Sequence, residues 1–133
     1  MLKFSIAIFI LMLTLNSCLF PDGLGGGGSD TLLKQSSNKQ KNKKVVLFLR
    51  QSGATVGDSY QVSIMDYNEN FDTSEVGNTF TVDDNHGKTG LDSTSVNFNW
   101  LSNDTLQIDY DKNLRTFSQE TYLQKIVIVY KPR

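Results

Sequence analysis

The chain has 133 residues, one cysteine, one histidine and a formal charge of −1, from 13 Lys and Arg against 14 Asp and Glu. That length suits one domain and its tether. The near balance of charge provides no basic face for nucleic acid, and a lone cysteine excludes an internal disulfide.

Lys3 gives a short positive start, and residues 4–15 (FSIAIFILMLTL) are apolar except for Ser5 and Thr14. A helix of that length rises roughly 18 Å at ~1.5 Å per residue, short of the ~30 Å hydrocarbon core of a bilayer. A basic start, a short apolar run and then small or polar residues read as a cleaved signal peptide over residues 1–17. The tetrapeptide Leu15-Asn16-Ser17-Cys18 resembles the lipobox of bacterial lipoproteins, in which an aliphatic residue, a tolerant position and a small residue precede the cysteine; Asn16 is the less usual filler. The resemblance implies diacylglyceryl transfer to the Cys18 sulfur, cleavage before Cys18 and acylation of the new amino group. One acyl chain anchors only marginally, so stable attachment takes at least two. Leu19 stands where Asp would favour inner-membrane retention in the Gram-negative sorting scheme, which favours the outer membrane. An ordinary signal peptide followed by a free thiol is the alternative. Loss of the leader, which carries Lys3 and no acid, takes the formal charge from −1 to −2.

Residues 18–43 read as the lipidated N-terminus and a tether: a Pro21-Asp22-Gly23 turn, the run Gly25-Gly26-Gly27-Gly28-Ser29, and a polar segment whose basic cluster, Lys34, Lys39, Lys41, Lys43 and Lys44, runs up to the start of the domain. The lysines allow attraction to anionic lipid or simply a solvated linker. Residues 44–133 read as one β-rich domain. Val45, Val46, Leu47, Phe48 and Leu49 form a continuous apolar run, expected as a strand buried on both faces. Tyr60, Val62 and Ile64 alternate with Gln61, Ser63 and Met65, and residues 79–82 form a short strand. Val96, Phe98 and Trp100, then Leu106, Ile108 and Tyr110, make a hairpin about Ser102-Asn103-Asp104. Residues 111–120 are expected to be irregular, and residues 126–130 (IVIVY) a two-sided closing strand. The expected fold is all-β: a small antiparallel sheet of about six strands, curled into a sandwich or open barrel.

Residues 45–130 resemble a family of small, uncharacterised bacterial proteins, many with a secretion or lipoprotein signal. The residues that carry the resemblance are Val45, Val46, Arg50, Gly53-Ala54-Thr55 and Gln61-Val62-Ser63-Ile64, then Gly77-Asn78 with Phe80, Asn85-His86-Gly87, and Trp100 with Thr105, Leu106, Ile108 and Tyr110. The chain departs from the family pattern at Ser52, where the pattern has Cys, and at Val56, where it has Thr. The family brings no activity with it.

No serine sits in a nucleophile-elbow motif, so no catalytic residue is assigned. His86, beside Asp83 and Asp84, is the best candidate for a functional loop, but one imidazole offers at most one nitrogen ligand and the spacing matches no zinc motif. Asp66, Asn68 and Asn70 begin like a calcium loop, which Phe71 and Gly77 break. Arg50 and Thr55 are candidate partners of Asp83, Asp84 and His86 in a small polar pocket. These residues lead to the expectation of a lipid-anchored envelope protein, held in the membrane through Cys18, whose β domain is a binding or structural module with a possible envelope protein partner, no metal and no cofactor. The alternative is a small hydrolytic or metal-dependent enzyme using the Asp83, Asp84 and His86 loop.

Overall fold

The computed structural model describes residues 30–53 and 56–133, so the leader, Cys18 and Thr55 lie outside the described residues. The described chain forms nine strands and no helix: β1 (Asp30–Ser37), β2 (Lys43–Arg50), β3 (Ser59–Asp66), β4 (Phe80–Asp83), β5 (Val96–Ser102), β6 (Thr105–Tyr110), β7 (Arg115–Gln119), β8 (Tyr122–Leu123) and β9 (Ile126–Pro132). They build a five-stranded sheet in the order β1-β2-β3-β4-β7 and a four-stranded sheet in the order β5-β6-β9-β8. The two open sheets make a small sandwich.

The strong patterns in the sequence become the centre of this fold. Val45 and Leu47 of β2 face the other sheet with Tyr60, Val62, Ile64, Phe80 and Val82, against Val96, Leu106, Ile108, Ile126 and Ile128. The opposite face of β2 is also buried, because Val46 and Phe48 are covered by Met65 and Phe71. The Phe71 ring lies 4.9 Å from that of Phe48. It belongs to the connection between β3 and β4, which folds back over the outer face of the five-stranded sheet.

Four expectations are corrected. Residues 30–37, expected in the tether, form β1, paired antiparallel to β2 from Asp30↔Arg50 to Ser37↔Lys44. Residues 115–119, expected to be irregular, form β7 beside β4. The closing strand is parallel, not antiparallel, to β6, because the chain crosses to β7 in the other sheet between them. It is also one-sided: Ile126 and Ile128 are buried while Val127 and Val129 are exposed. Its approach is the short hairpin β8–β9, whose two loop residues Gln124 (φ 50°) and Lys125 (φ 67°) are both left-handed, the signature of a type I′ turn.

Polar side chains tie the sheets at their rims. Buried Asn38 accepts from the N–H groups of Asn42 (3.1 Å) and Lys43 (3.2 Å), and its amide donates to the Asn103 carbonyl at 2.9 Å. This joins the β1–β2 turn to the β5–β6 turn. Trp100 Nε1 donates to the Ser36 carbonyl at 3.2 Å. On the other flank, the Tyr130 hydroxyl donates to the Glu120 carbonyl at 2.6 Å, and its ring lies 5.2 Å from Phe80. Burial, then the charge of Glu120, pushes the Tyr130 hydroxyl above its ordinary range.

Asn38→Ala, at a site that is 2% exposed, removes two donated hydrogen bonds, to Asn42 Oδ1 and the Asn103 carbonyl, and two accepted ones, from the Asn42 and Lys43 N–H groups. At 1–3 kcal/mol per unsatisfied buried group, the expected loss is about 3 kcal/mol, read as a lower urea midpoint at unchanged m-value.

Candidate functional site

The outer face of the five-stranded sheet carries the candidate site. Strand alternation sends Tyr60, Val62, Phe80 and Val82 inward, which leaves Ser59, Gln61, Thr81 and Asp83 outward as the floor of a groove. Ser52, Val56 and Gly57 from the β2–β3 connection form one wall. His86 from the β4–β5 connection and Arg115 and Phe117 from β7 form the other, around a cavity of about 450 Å³.

One row of the sheet runs through the site. The pairings Asp30↔Arg50, Arg50↔Ser59, Ser59↔Asp83 and Asp83↔Arg115 place these five residues side by side across all five strands. The charges pair at the two ends of the row. Arg50 binds Asp30 through Nε (2.9 Å) and Nη2 (2.7 Å) and also donates to the Glu75 carbonyl at 2.8 Å. Arg115 binds Asp83 through both Nε and Nη2.

Asp83 is buried and accepts a third hydrogen bond, from Asn85 N–H at 2.9 Å. Burial alone would raise its carboxyl pKa. The hydrogen bonds from Arg115 and Asn85, with the positive charge of Arg115, outweigh that and hold it below the ordinary carboxylate range. Arg115 also reaches His86, with Nη1 2.7 Å from Nε2. A guanidinium can only donate, so Nε2 is the acceptor in this contact. The loop that presents His86 is bent by three consecutive left-handed residues, Asn85 (φ 52°), His86 (φ 59°) and Gly87 (φ 77°). Asn and His tolerate this region better than most residues, and the Asn85 amide fastens the loop to the Asn113 carbonyl at 3.0 Å.

Phe117 owes its place to a β-bulge. The pairing steps from Val82↔Thr116 to Thr81↔Ser118, so Phe117 is the extra residue on β7. Its ring is 59% exposed, and the Arg115 guanidinium carbon sits 4.6 Å from the ring centroid. Under the other wall, Gln61 is buried. It accepts from Gly77 N–H at 2.7 Å and donates to the Ser59 hydroxyl at 3.0 Å.

Of the residues singled out in the sequence, the structure brings Asp83 and His86 into this groove. Asp84 follows in the same turn, where its carbonyl accepts from Thr89 N–H at 3.2 Å. Arg50 lies in the same row but is committed to Asp30. Sequence reasoning missed Arg115 and Phe117, whose i, i+2 spacing is the only trace of a strand face in a polar stretch. The described residues hold no group of three or more His, Cys, Asp or Glu placed to bind a metal ion. In the stretch that began like a calcium loop, Asp66 is paired with Lys43 and Asp72 accepts from its own turn at Ser74. No hydroxyl is hydrogen-bonded to His86 among the described residues, so the groove lacks a nucleophile joined to a base. Comparison with protein-family models, curated proteins and solved structures returns no match for the chain.

Because its folded-state pKa is lowered, Asp83 contributes stability that is present above its unfolded value of ~3.9 and lost as pH falls through the folded value. Asp83→Asn should therefore cost about 2 kcal/mol at neutral pH, the scale for a charge-assisted bond. The gap from the wild type should narrow as pH falls below the unfolded value and close once pH passes below the lowered folded value. Thermal unfolding of both proteins across that range checks this; a constant gap would show that the ionised pair is not its source.

Proposed function

We propose that the protein is a bacterial lipoprotein of the cell envelope, held by acyl chains on Cys18, and that its β-sandwich is a binding module whose recognition surface is the groove at Asp83, Arg115 and Phe117. The observation that carries the anchor is the sequence Leu15-Asn16-Ser17-Cys18 directly behind a short apolar run. Leu19 favours the outer membrane as the site of attachment.

The module reading rests on how the groove's ionic groups are used. Both oxygens of Asp83 accept from Arg115, and His86 is bonded to the same guanidinium. Such a set is pre-organised by mutual bonding, which suits holding a ligand in place more than proton transfer. The anchor would also keep the groove near the membrane. Eleven residues separate Cys18 from Asp30, a reach of at most ~40 Å when fully extended. Asp30 lies in the same row of the sheet as Asp83, so the groove opens on the part of the domain where the chain enters. The ligand is then another component of the envelope within that distance.

Cys18→Ala should abolish the added lipid mass and release the protein from membranes in cell fractionation; a variant that stays membrane-bound at the wild-type mass would overturn the anchor. A photo-reactive residue at Val56, which is 60% exposed on the groove wall, should capture one reproducible envelope component in living cells. The same probe at Leu101, on the other sheet, should not capture it.

A further inference from the structure

Resting on the reading of this groove as the recognition surface, we infer that its ligand is a neutral carbohydrate, with Phe117 as the platform against which a sugar ring stacks. A pyranose offers two kinds of surface, an apolar face of C–H groups and a rim of hydroxyls that each donate and accept. The groove presents the complement of both.

The apolar part is the Phe117 ring, set out from β7 by the bulge and held by Arg115 at 4.6 Å. Val56, 60% exposed, adds a second apolar side chain to the lining of the same cavity. The polar part is counted from the hydrogen bonds already made. Arg115 uses three of its five N–H groups, two on Asp83 and one on His86. That leaves two donors beside the ring, with the Nδ1–H of His86 as a third. Asp83 accepts three hydrogen bonds out of about four lone-pair positions, which leaves one acceptor. The Thr81 and Ser52 hydroxyls add groups that do both. Most of these side chains stand on strands, so their geometry is set before a ligand arrives.

Charge disfavours an anionic ligand. The carboxylate and guanidinium are closed on each other, and the negative charge of Asp84 acts on the same guanidinium, so the site offers no free positive charge to a phosphate or a uronate. An extended peptide joining as an extra strand is disfavoured for a different reason. It would have to pair along β7, and the bulge at Phe117 interrupts that ladder. The cavity of about 450 Å³ falls in the range of small-ligand sites, ~300–1,000 Å³.

The test is calorimetric titration of the full-length lipidated protein, in a detergent without a sugar headgroup, with maltohexaose, cellohexaose, chitohexaose and the anionic polygalacturonate. At least one neutral oligosaccharide should bind. Phe117→Ala should weaken that binding tenfold or more, Phe117→Tyr should hold it within threefold, and Leu101→Ala, another exposed bulge residue, should leave it within twofold. Circular dichroism establishes that the variants fold. The inference is overturned if none of the three neutral sugars binds, if Phe117→Ala loses less than tenfold, or if polygalacturonate binds more tightly than all of them. A failed titration with the Val56 cross-link intact removes the carbohydrate and leaves the binding module standing; loss of both removes the module as well.

Discussion

Two open sheets have four edges, and each unpaired edge is a row of backbone donors and acceptors that invites another strand. The sandwich closes every one of these invitations. β1, β5 and β7 each carry one extra residue, Leu33, Leu101 and Phe117, which breaks the register of the ladder. β8 is only two residues long. Beyond it, β9 ends on Lys131 and Pro132, a charge and a residue with no N–H to offer. The devices share a by-product. A bulge takes its extra side chain out of the in-and-out alternation, and in all three strands that side chain is large, apolar and exposed. Of the three, Phe117 stands over the groove at Asp83.

Side chains on the bulged edges also close the sandwich. Lys34 of β1 donates to Asn97 of β5, and Trp100 of β5 donates to Ser36 of β1, so the two edges brace each other across the core. The opposite flank is closed by the ring cluster of Phe80, Tyr110 and Tyr130. Hydrophobic burial holds the two sheets face to face without direction. The directional bonds of Asn38, Trp100 and Tyr130 fix how one sheet is turned on the other.

What the sequence makes legible is what lies deep. Residues 45–49 announce a two-sided strand because both faces of β2 are covered, and residues 96–110 announce a hairpin because each strand has one clean apolar face. β1 and β7 escape notice for one physical reason: a bulged edge strand keeps no strict period of two, and DTLLKQSS and RTFSQ read as polar chain. The β8–β9 turn is hidden because Gln124 and Lys125 replace the Asn and Gly usual at left-handed positions. Their strain is met by contacts far away in sequence, with Gln124 donating to the Ile64 carbonyl at 3.2 Å and accepting from Lys43 at 2.8 Å. The site follows the same division. Asp83 and His86 stand out in a turn-rich loop, whereas Arg115 comes from the strand that was missed and Arg50 is satisfied by an aspartate assigned to the tether.

Asp83 is where the parts of the site meet. A buried carboxylate without a partner is costly, and the partner available in its row of the sheet is Arg115. Binding Asp83 in the plane of its fork sets the guanidinium at a fixed angle, and that places one N–H on His86 and the flat cation by the Phe117 ring. The same carboxylate takes the N–H of Asn85, the first of three left-handed residues, so it also braces the turn that carries His86. Groove wall, aromatic platform and charge balance therefore depend on one ionised group. Its partners leave it neutral in sum and still short of one hydrogen bond, a condition that a hydroxyl can meet and a second carboxylate cannot.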